Sequence, residues 1–221
     1  MGVAQAGIAF RQTAEVKDLQ SLVAAALGRR VEEIPRPDFD KFDIRNGTDV
    51  MVQNFNGVLF ICSDALVWNL LENPSPDVRC LNEGLGSPQS FVAFCNYQSG
   101  DSYGYAVVDA GVRIRSRLQT TGVDGAPLLV EYGEPYEFER RWLSAPSFFE
   151  EDGCPAEEHQ RILFQSDPRI EVSEHYLTRH MLGELLEDRF GLCPWDAAAE
   201  TVYNYFRVKT RRSWKRLFGH S

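Results

Sequence analysis

Residues 91–118 read FVAFCNYQSGDSYGYAVVDAGVRIRSRL and contain the clearest structural pattern in the chain. Two apolar runs, at 91–95 and 103–108, are separated by a polar turn. The sequence Asp109-Ala-Gly then separates the second run from a third at 112–118. Short apolar runs bounded by turn-forming residues predict three antiparallel strands joined as a β-meander.

The third run alternates between two sets of residues, which predicts a half-buried strand with its arginines on one face. Such a stripe of arginines can hold a carboxylate or phosphate through bidentate hydrogen bonds. It can equally pair with acidic residues on adjacent strands, and the acidic excess of the chain favours this internal pairing. The three arginines are candidate binding residues: Arg113, Arg115 and Arg117.

The predicted elements over residues 3–97 follow the order strand, helix, strand, strand, helix, strand, which is that of a split βαβ, ferredoxin-like unit. Asn56-Gly57 marks the hairpin between the middle strands, because both residues tolerate positive φ. Further along, Pro155 predicts a helix through Phe164, and Ser173 caps a helix that ends near Phe190. We therefore predict an α+β fold with a mainly antiparallel sheet, flanking helices and a ferredoxin-like first half.

Composition bounds the class of protein. The 221 residues are 43% hydrophobic and 12% aromatic, which is enough for an ordered core. The apolar runs are too short to cross a membrane, and the N-terminus lacks the features of a secretory signal. Five scattered cysteines without C-x-x-C spacing indicate reduced, mostly buried thiols. These observations predict a cytoplasmic protein.

Charge separates the C-terminal tail from the rest of the chain. The net charge is −9, but 17 basic and 32 acidic residues precede Arg207, a net charge of −15. This acidic body disfavours non-specific binding of nucleic acid. We predict one compact unit over 1–208, or two packed lobes at 1–97 and 98–208, followed by a basic amphipathic tail at 209–221.

The tail combines apolar residues at helical spacing with basic neighbours. It can contact an anionic membrane surface, RNA or an acidic partner, or it can fold back onto the acidic body, which the body charge favours. Nucleic acid is expected as a partner only through this tail. Its candidate binding residues are Arg211, Arg212, Trp214, Lys215 and Arg216.

No sequence motif for catalysis or a cofactor is present. The chain lacks a G-x-S-x-G elbow, a phosphate-binding loop and a dinucleotide fingerprint. His180, Glu184 and Asp188 fall on one helical face, as in a metal-binding helix, although a solvated polar stripe accounts for the same spacing. We predict no catalytic residue, cofactor or metal, and these three residues are the candidates for a metal site.

Two stretches resemble a bacterial domain-of-unknown-function family. One is SYGYAVVDAGVRIRS at 102–116 followed by GEPYEFE at 133–139, and the other is the helix from Leu182-Gly183 to Phe190-Gly191. The family has a "G…V-R" turn followed by "G-E-P-L-x-F-E"; position 136 here is Tyr instead of Leu, and the basic tail is not part of the pattern. The resemblance covers the second half of the chain. It implies a bacterial, cytoplasmic, stand-alone protein and no assigned activity.

Three functional hypotheses follow. The first is a non-enzymatic protein-interaction module, of a regulatory or immunity-like type, with another protein as partner. The second is an enzyme or small-ligand binder whose site is assembled from His175, His180, Glu184 and the arginine stripe. The third is association of the tail with an anionic surface. The sequence leaves the small-molecule ligand and the oligomeric state open.

Overall fold

The structure is a computed structural model that describes residues 4–12, 16, 18–121, 127–150, 160–166, 168–195 and 201–209. Nine strands form one antiparallel sheet in the order β2-β12-β3-β4-β1-β5-β6-β7-β8. They are β1 (Ala4–Arg11), β2 (Val31–Ile34), β3 (Asp49–Phe55), β4 (Val58–Cys62), β5 (Ser90–Tyr97), β6 (Ser102–Asp109), β7 (Val112–Thr121), β8 (Pro127–Tyr132) and β12 (Val202–Val208).

A second, smaller antiparallel sheet has the order β11-β10-β9. Its strands are β9 (Ser147–Glu150), β10 (Gln160–Ser166) and β11 (Arg169–Ser173). The α-helices in the described ranges are α1 (Leu19–Leu27), α2 (Trp68–Glu72), α3 (Arg79–Gly84), α4 (Glu137–Leu143) and α5 (Leu177–Phe190). The predicted α+β fold with a mainly antiparallel sheet is confirmed. None of these helices is long and apolar enough to cross a bilayer.

The ferredoxin-like prediction for the first half is confirmed by the strand order. The segment β3-β4-β1-β5 of the large sheet is antiparallel throughout, with α1 between β1 and β3 and with α2 and α3 between β4 and β5. The hairpin between β3 and β4 turns at Asn56 and Gly57, whose φ angles are 49° and 85°. Strand β2 is an addition to this unit and pairs with β12 at one edge.

Helices cover both faces of the large sheet. We call the side covered by α1, α2 and α3 the α1–α3 face; Ile8, Val23 and Leu70 belong to its apolar cluster. We call the side covered by α4, α5 and the small sheet the α4–α5 face; Phe60 and Trp142 lie in its cluster. Burial on both faces explains why β4 is a continuous apolar run rather than an alternating one.

The predicted β-meander is confirmed, because β5, β6 and β7 are consecutive antiparallel neighbours. The helix predicted to follow Ser173 and to end near Phe190 is also confirmed. The Ser173 side chain accepts a hydrogen bond from the His175 amide at the start of a 3₁₀ turn, and α5 follows from Leu177 to Phe190. Gly191 ends α5 with a φ of 79°, as expected for a C-terminal glycine.

The predicted helix through Phe164 is wrong where the structure can be compared. Residues 160–166 form β10, which pairs with both β9 and β11, and residues 155–159 lie outside the described ranges. Ile162 and Leu163 are buried in this arrangement. Strand pairing on two sides therefore outweighs the local signal that Pro155 gives for a helix start.

Candidate functional site

A β-bulge in β7 separates the three arginines of the predicted stripe. In the register with β6, Val107 lies opposite Arg115 but Val108 lies opposite Arg113, so Ile114 is an extra residue. An extra residue moves the following side chains to the other side of the sheet. The Arg113 side chain therefore lies on the α1–α3 face, whereas the side chains of Arg115 and Arg117 lie on the α4–α5 face. The prediction that all three arginines share one face is wrong.

Arg113 closes the C-terminal end of α2. Its Nη1 donates to the carbonyl oxygens of Leu70 at 2.8 Å and Asn73 at 2.7 Å, and its Nη2 donates to Pro74 O at 2.6 Å. The guanidinium also lies over the Tyr132 ring, 4.3 Å from its centroid. Backbone carbonyls at a helix end lack hydrogen-bond donors within the helix, and this buried arginine supplies those donors. These bonds give Arg113 a structural role.

Arg115 forms a buried ion pair with Glu139 of α4, whose side chain is fully buried. The Arg115 Nε lies 2.8 Å from Glu139 Oε2, and the Tyr105 hydroxyl donates to Glu139 Oε1 at 2.7 Å. The Arg115 Nη1 donates to the carbonyls of Tyr132 and Gly133. Burial and the nearby Glu139 charge raise the pKa of Tyr105, which keeps its hydroxyl a donor.

Arg117 continues this polar network toward α5. Its Nη1 donates to Glu131 Oε1 at 2.7 Å and its Nε donates to Thr178 Oγ1 at 3.0 Å. Thr178 in turn donates to Gln119, whose Nε2 donates to His175 O at 2.6 Å. Glu131 lies directly across from Arg117 on β8. The predicted pairing of arginines with acidic residues of an adjacent strand is confirmed for this pair.

Glu131 joins the two arginines of the α4–α5 face, because its Oε1 also accepts from Arg115 Nη2 at 2.6 Å. Burial alone would raise the pKa of Glu131, but the hydrogen bonds and charges of Arg115 and Arg117 lower it below its ordinary value.

A glycine follows strand β8: Gly133 has a φ of 75°, and a β-carbon there would overlap the Ile114 carbonyl oxygen. The turn into α4 therefore requires glycine.

A cavity of about 440 Å³ lies at the end of this network, between β7–β8 and the small sheet. Arg117 and Gln119 line it from the large sheet, and Arg161 of β10 lines it from the small sheet. His175 also lines it, with its Nε2 3.1 Å from Asp101 Oδ1. Its apolar lining consists of Leu129, Leu143, Leu163 and Leu177. We call this space the leucine–arginine cavity.

Strand β8 borders this cavity and is also an edge of the large sheet, with β7 as its one neighbour among the described strands. Its apolar side chains are exposed: Leu128 by 52%, Leu129 by 46% and Tyr132 by 47%. Side chains alternate along a strand, so Leu129 and Glu131 face the cavity side and Leu128 and Tyr132 the opposite side. One strand therefore offers an unpaired backbone edge and a wall of the cavity.

Two of the three candidate metal residues, His180 and Glu184, line a different cavity, of about 400 Å³, beside α5. There the Nε2 of His180 lies 3.3 Å from Glu184 Oε1, and the indole Nε1 of Trp142 donates to the same oxygen at 3.0 Å. Burial opposes ionisation of Glu184, yet these two contacts lower its pKa below the ordinary value. Asp188 is exposed on the next turn. No group of three His, Cys, Asp or Glu residues in the described ranges is arranged to hold a metal.

The structure thus brings together only part of the predicted composite site. Arg117 and His175 line the leucine–arginine cavity, whereas His180 and Glu184 line the other cavity. The sequence did not single out Gln119, Arg161 or the four leucines. They lie on strands and on α4 and α5, which meet only in the folded chain, so no local pattern in the sequence marks them.

Other predicted groups are less informative for function. Cys62 and Cys95 are buried, and burial raises the pKa of both thiols, that of Cys62 to about 12, which makes them poor nucleophiles. Three of the four described cysteines are buried and Cys80 is exposed, which agrees with the expectation of mostly buried thiols. The tail residues Arg211, Arg212, Trp214, Lys215 and Arg216 lie outside the described ranges, so their binding role stays a prediction.

Comparison of the chain with models of known protein families, with curated proteins and with solved structures gives no significant match. The resemblance to a bacterial domain-of-unknown-function family therefore stays a prediction. The same holds for the bacterial and cytoplasmic origin that the resemblance implies.

Proposed function

We propose that the protein is a non-enzymatic interaction module that binds an extended segment of a partner protein along β8. The observation that carries this proposal is the edge of β8, which pairs with no described strand other than β7 and has exposed leucines on both faces. In strand addition, main-chain hydrogen bonds supply affinity and neighbouring pockets supply specificity for alternate side chains. The edge of β8 and the leucine–arginine cavity beside it provide both components.

The opposite edge of the sheet shows what a protected edge looks like in this molecule. Strand β2 is four residues long, and its Glu32 and Glu33 are exposed and contact Lys209 and Asn204. Short edge strands and charged side chains are common means of preventing strand pairing. The short length of β2 and its charged side chains therefore both disfavour pairing of this edge with another strand.

Strand β8 lacks these protections along most of its length. It is six residues long, its one proline occupies the first position, and it contains no lysine or arginine. Its one acidic residue, Glu131, is engaged by Arg115 and Arg117. An exposed apolar edge of this kind favours pairing with another strand. The contrast with β2 supports β8 as the partner-binding edge.

The test uses full-length protein and peptides selected on it from a random peptide display library. Leu128→Lys places a charge on the exposed edge, and we expect it to weaken peptide binding at least tenfold. Val202→Lys is the control, because Val202 is 68% exposed on β12, which lies near the opposite side of the large sheet from β8. We expect this control to bind like the original protein.

Both substitutions are at exposed positions, so each should change the free energy of unfolding by no more than about 0.5 kcal/mol. Equal peptide affinities for the two variants would contradict the proposal. Sedimentation identifies a competing occupant. A dimer of the original protein that Leu128→Lys converts to a monomer would assign β8 to a second copy of the chain and would overturn the partner assignment.

A further inference from the structure

We propose that the leucine–arginine cavity binds a carboxylate group carried on a short apolar stem, with Arg117 and Arg161 as the residues that recognise the carboxylate. This ligand site adjoins the strand-pairing edge proposed above and shares Leu129 with it, but it binds its ligand whether or not β8 pairs with a partner strand. The inference rests on two guanidinium groups with unused donors that line one cavity together with four leucines.

Arg117 is the buried half of the pair, with a side chain only 5% exposed. Its Nε and Nη1 are used by Thr178 and Glu131, but its Nη2 has no acceptor in the described part of the chain. Arg117 lines the cavity, so this Nη2 is the group of its guanidinium that is available to a ligand there. The network therefore fixes this guanidinium in place and leaves one donor for a ligand.

Arg161 lines the same cavity from the small sheet, and two of its three nitrogens are likewise used by neighbouring side chains. Its Nε donates to Ser147 Oγ at 3.0 Å and its Nη1 donates to Glu174 Oε1 at 2.9 Å. Among the described residues no acceptor engages its Nη2. Two guanidinium groups that line one cavity suit a planar carboxylate, because charge-assisted hydrogen bonds from arginine are strong and directional.

Charges near the cavity favour a single negative charge on the ligand. Arg115 and Arg117 are balanced by Glu131 and Glu139, and Arg161 is balanced by Glu174 on the cavity wall. A phosphate or another dianion would meet these carboxylates without a compensating excess of positive charge. A monocarboxylate instead accepts hydrogen bonds from the two Nη2 groups at a smaller electrostatic cost.

The leucines define the rest of the ligand. Leu163 and Leu177 are buried and Leu129 and Leu143 are half exposed, so the cavity is apolar inside and open at the rim. A volume of about 440 Å³ falls within the range of small-molecule sites. A stem of a few carbon atoms fits the apolar part, and it can belong to a free short-chain acid or to the C-terminal residue of a polypeptide.

The experiment titrates hexanoate, hexanamide and hexylamine into full-length protein with isotope-labelled leucine methyl groups, observed by NMR. We expect hexanoate to shift the methyl signals of Leu129, Leu163 and Leu177 in a saturable way. Hexanamide should bind at least tenfold more weakly because it lacks the charge, and hexylamine should not bind. Equal binding of hexanamide and hexanoate would overturn the inference.

Two variants assign the contacts. Arg161→Gln should weaken hexanoate binding about tenfold, the scale of one charge-assisted hydrogen bond. Arg169→Gln is the control, because Arg169 forms an exposed ion pair with Glu171 on the same hairpin and does not line this cavity. Leu128→Lys should also leave hexanoate binding unchanged, which separates this inference from the edge proposal. An unchanged affinity of Arg161→Gln would contradict it.

A further arm identifies the source of the carboxylate. An acetylated tetrapeptide that ends in leucine is titrated with either a free or an amidated C-terminus. Binding of the free acid but not the amide, without binding of hexanoate, supports recognition of a polypeptide C-terminus. Binding of hexanoate supports a free acid. If neither acid binds up to millimolar concentration, the inference is wrong.

Discussion

The two faces of the nine-stranded sheet are covered in different ways, although β7 contributes arginines to both. On the α1–α3 face, Arg113 lies beside an apolar cluster that includes Leu70, and its Nη1 and Nη2 donate to backbone carbonyls at the end of α2. On the α4–α5 face, Arg115 and Arg117 join a network of side chains that reaches a cavity. One bulge thus divides a single run of arginines between a structural role and a candidate binding role.

The two faces also differ in the free-energy cost of burying charged side chains. On the α1–α3 face, Arg113 is bound by neutral backbone carbonyls. On the α4–α5 face, by contrast, both members of the ion pair between Arg115 and Glu139 are buried. A buried ion pair contributes little relative to apolar packing, but removal of one partner leaves the other charge uncompensated. The α4–α5 face should therefore be the more sensitive to single polar substitutions.

The largest expected effect follows from Glu139→Leu, which removes the fully buried carboxylate that pairs with Arg115 and accepts from the Tyr105 hydroxyl. We expect the free energy of unfolding to fall by about 3–5 kcal/mol in chemical denaturation. The double variant Arg115→Met and Glu139→Leu should recover a large part of this loss, since no buried charge is left behind. A loss below about 1 kcal/mol for the single variant would show that the ion pair is not buried as described.

An intermediate effect is expected on the other face. Arg113→Met leaves the carbonyls of Leu70, Asn73 and Pro74 without their donor, and we expect a loss of about 1–3 kcal/mol in the free energy of unfolding. Arg79→Met is the matched control, because the Arg79 side chain is 81% exposed and should change stability by no more than about 0.5 kcal/mol. Similar losses in both variants would argue against the capping role of Arg113.

The smallest effect concerns pH. Because Arg115 and Arg117 outweigh burial and lower the pKa of Glu131 in the folded chain, ionised Glu131 contributes stability above the ordinary value of 4.5. This contribution is lost as the pH falls through the lower folded pKa. Glu131→Gln should therefore reduce the loss of stability below pH 4.5, measured by denaturation across pH. Glu134→Gln, at an exposed turn position, is the control, and an identical acid dependence in both variants would contradict the account.

The half of the fold that depends on local signals could be predicted from the sequence. Asn56-Gly57 located a hairpin, Ser173 located the start of a helical segment, and the runs at 91–118 gave the meander. Each of these signals acts within a few residues. They are sufficient for the order of the elements and for the split βαβ arrangement of the first half.

The candidate site could not be predicted in the same way. Arg117 and Thr178 are separated by 61 residues in the chain, and Arg115 and Glu139 by 24. The alternation in β7 also concealed the bulge at Ile114, since a strict period of two places all three arginines on one face. Burial of two arginines beside the cavity depends on β8, α4 and α5 packing together.

Binding of a partner strand along β8 is tested most directly by amide hydrogen exchange of full-length protein with and without a selected peptide, resolved to individual strands by mass spectrometry. If the edge of β8 binds a partner strand, its amides should exchange at least tenfold more slowly in the complex, while β2 and β9 remain unchanged. Slower exchange at β2 or β9 with no change at β8 would contradict the account.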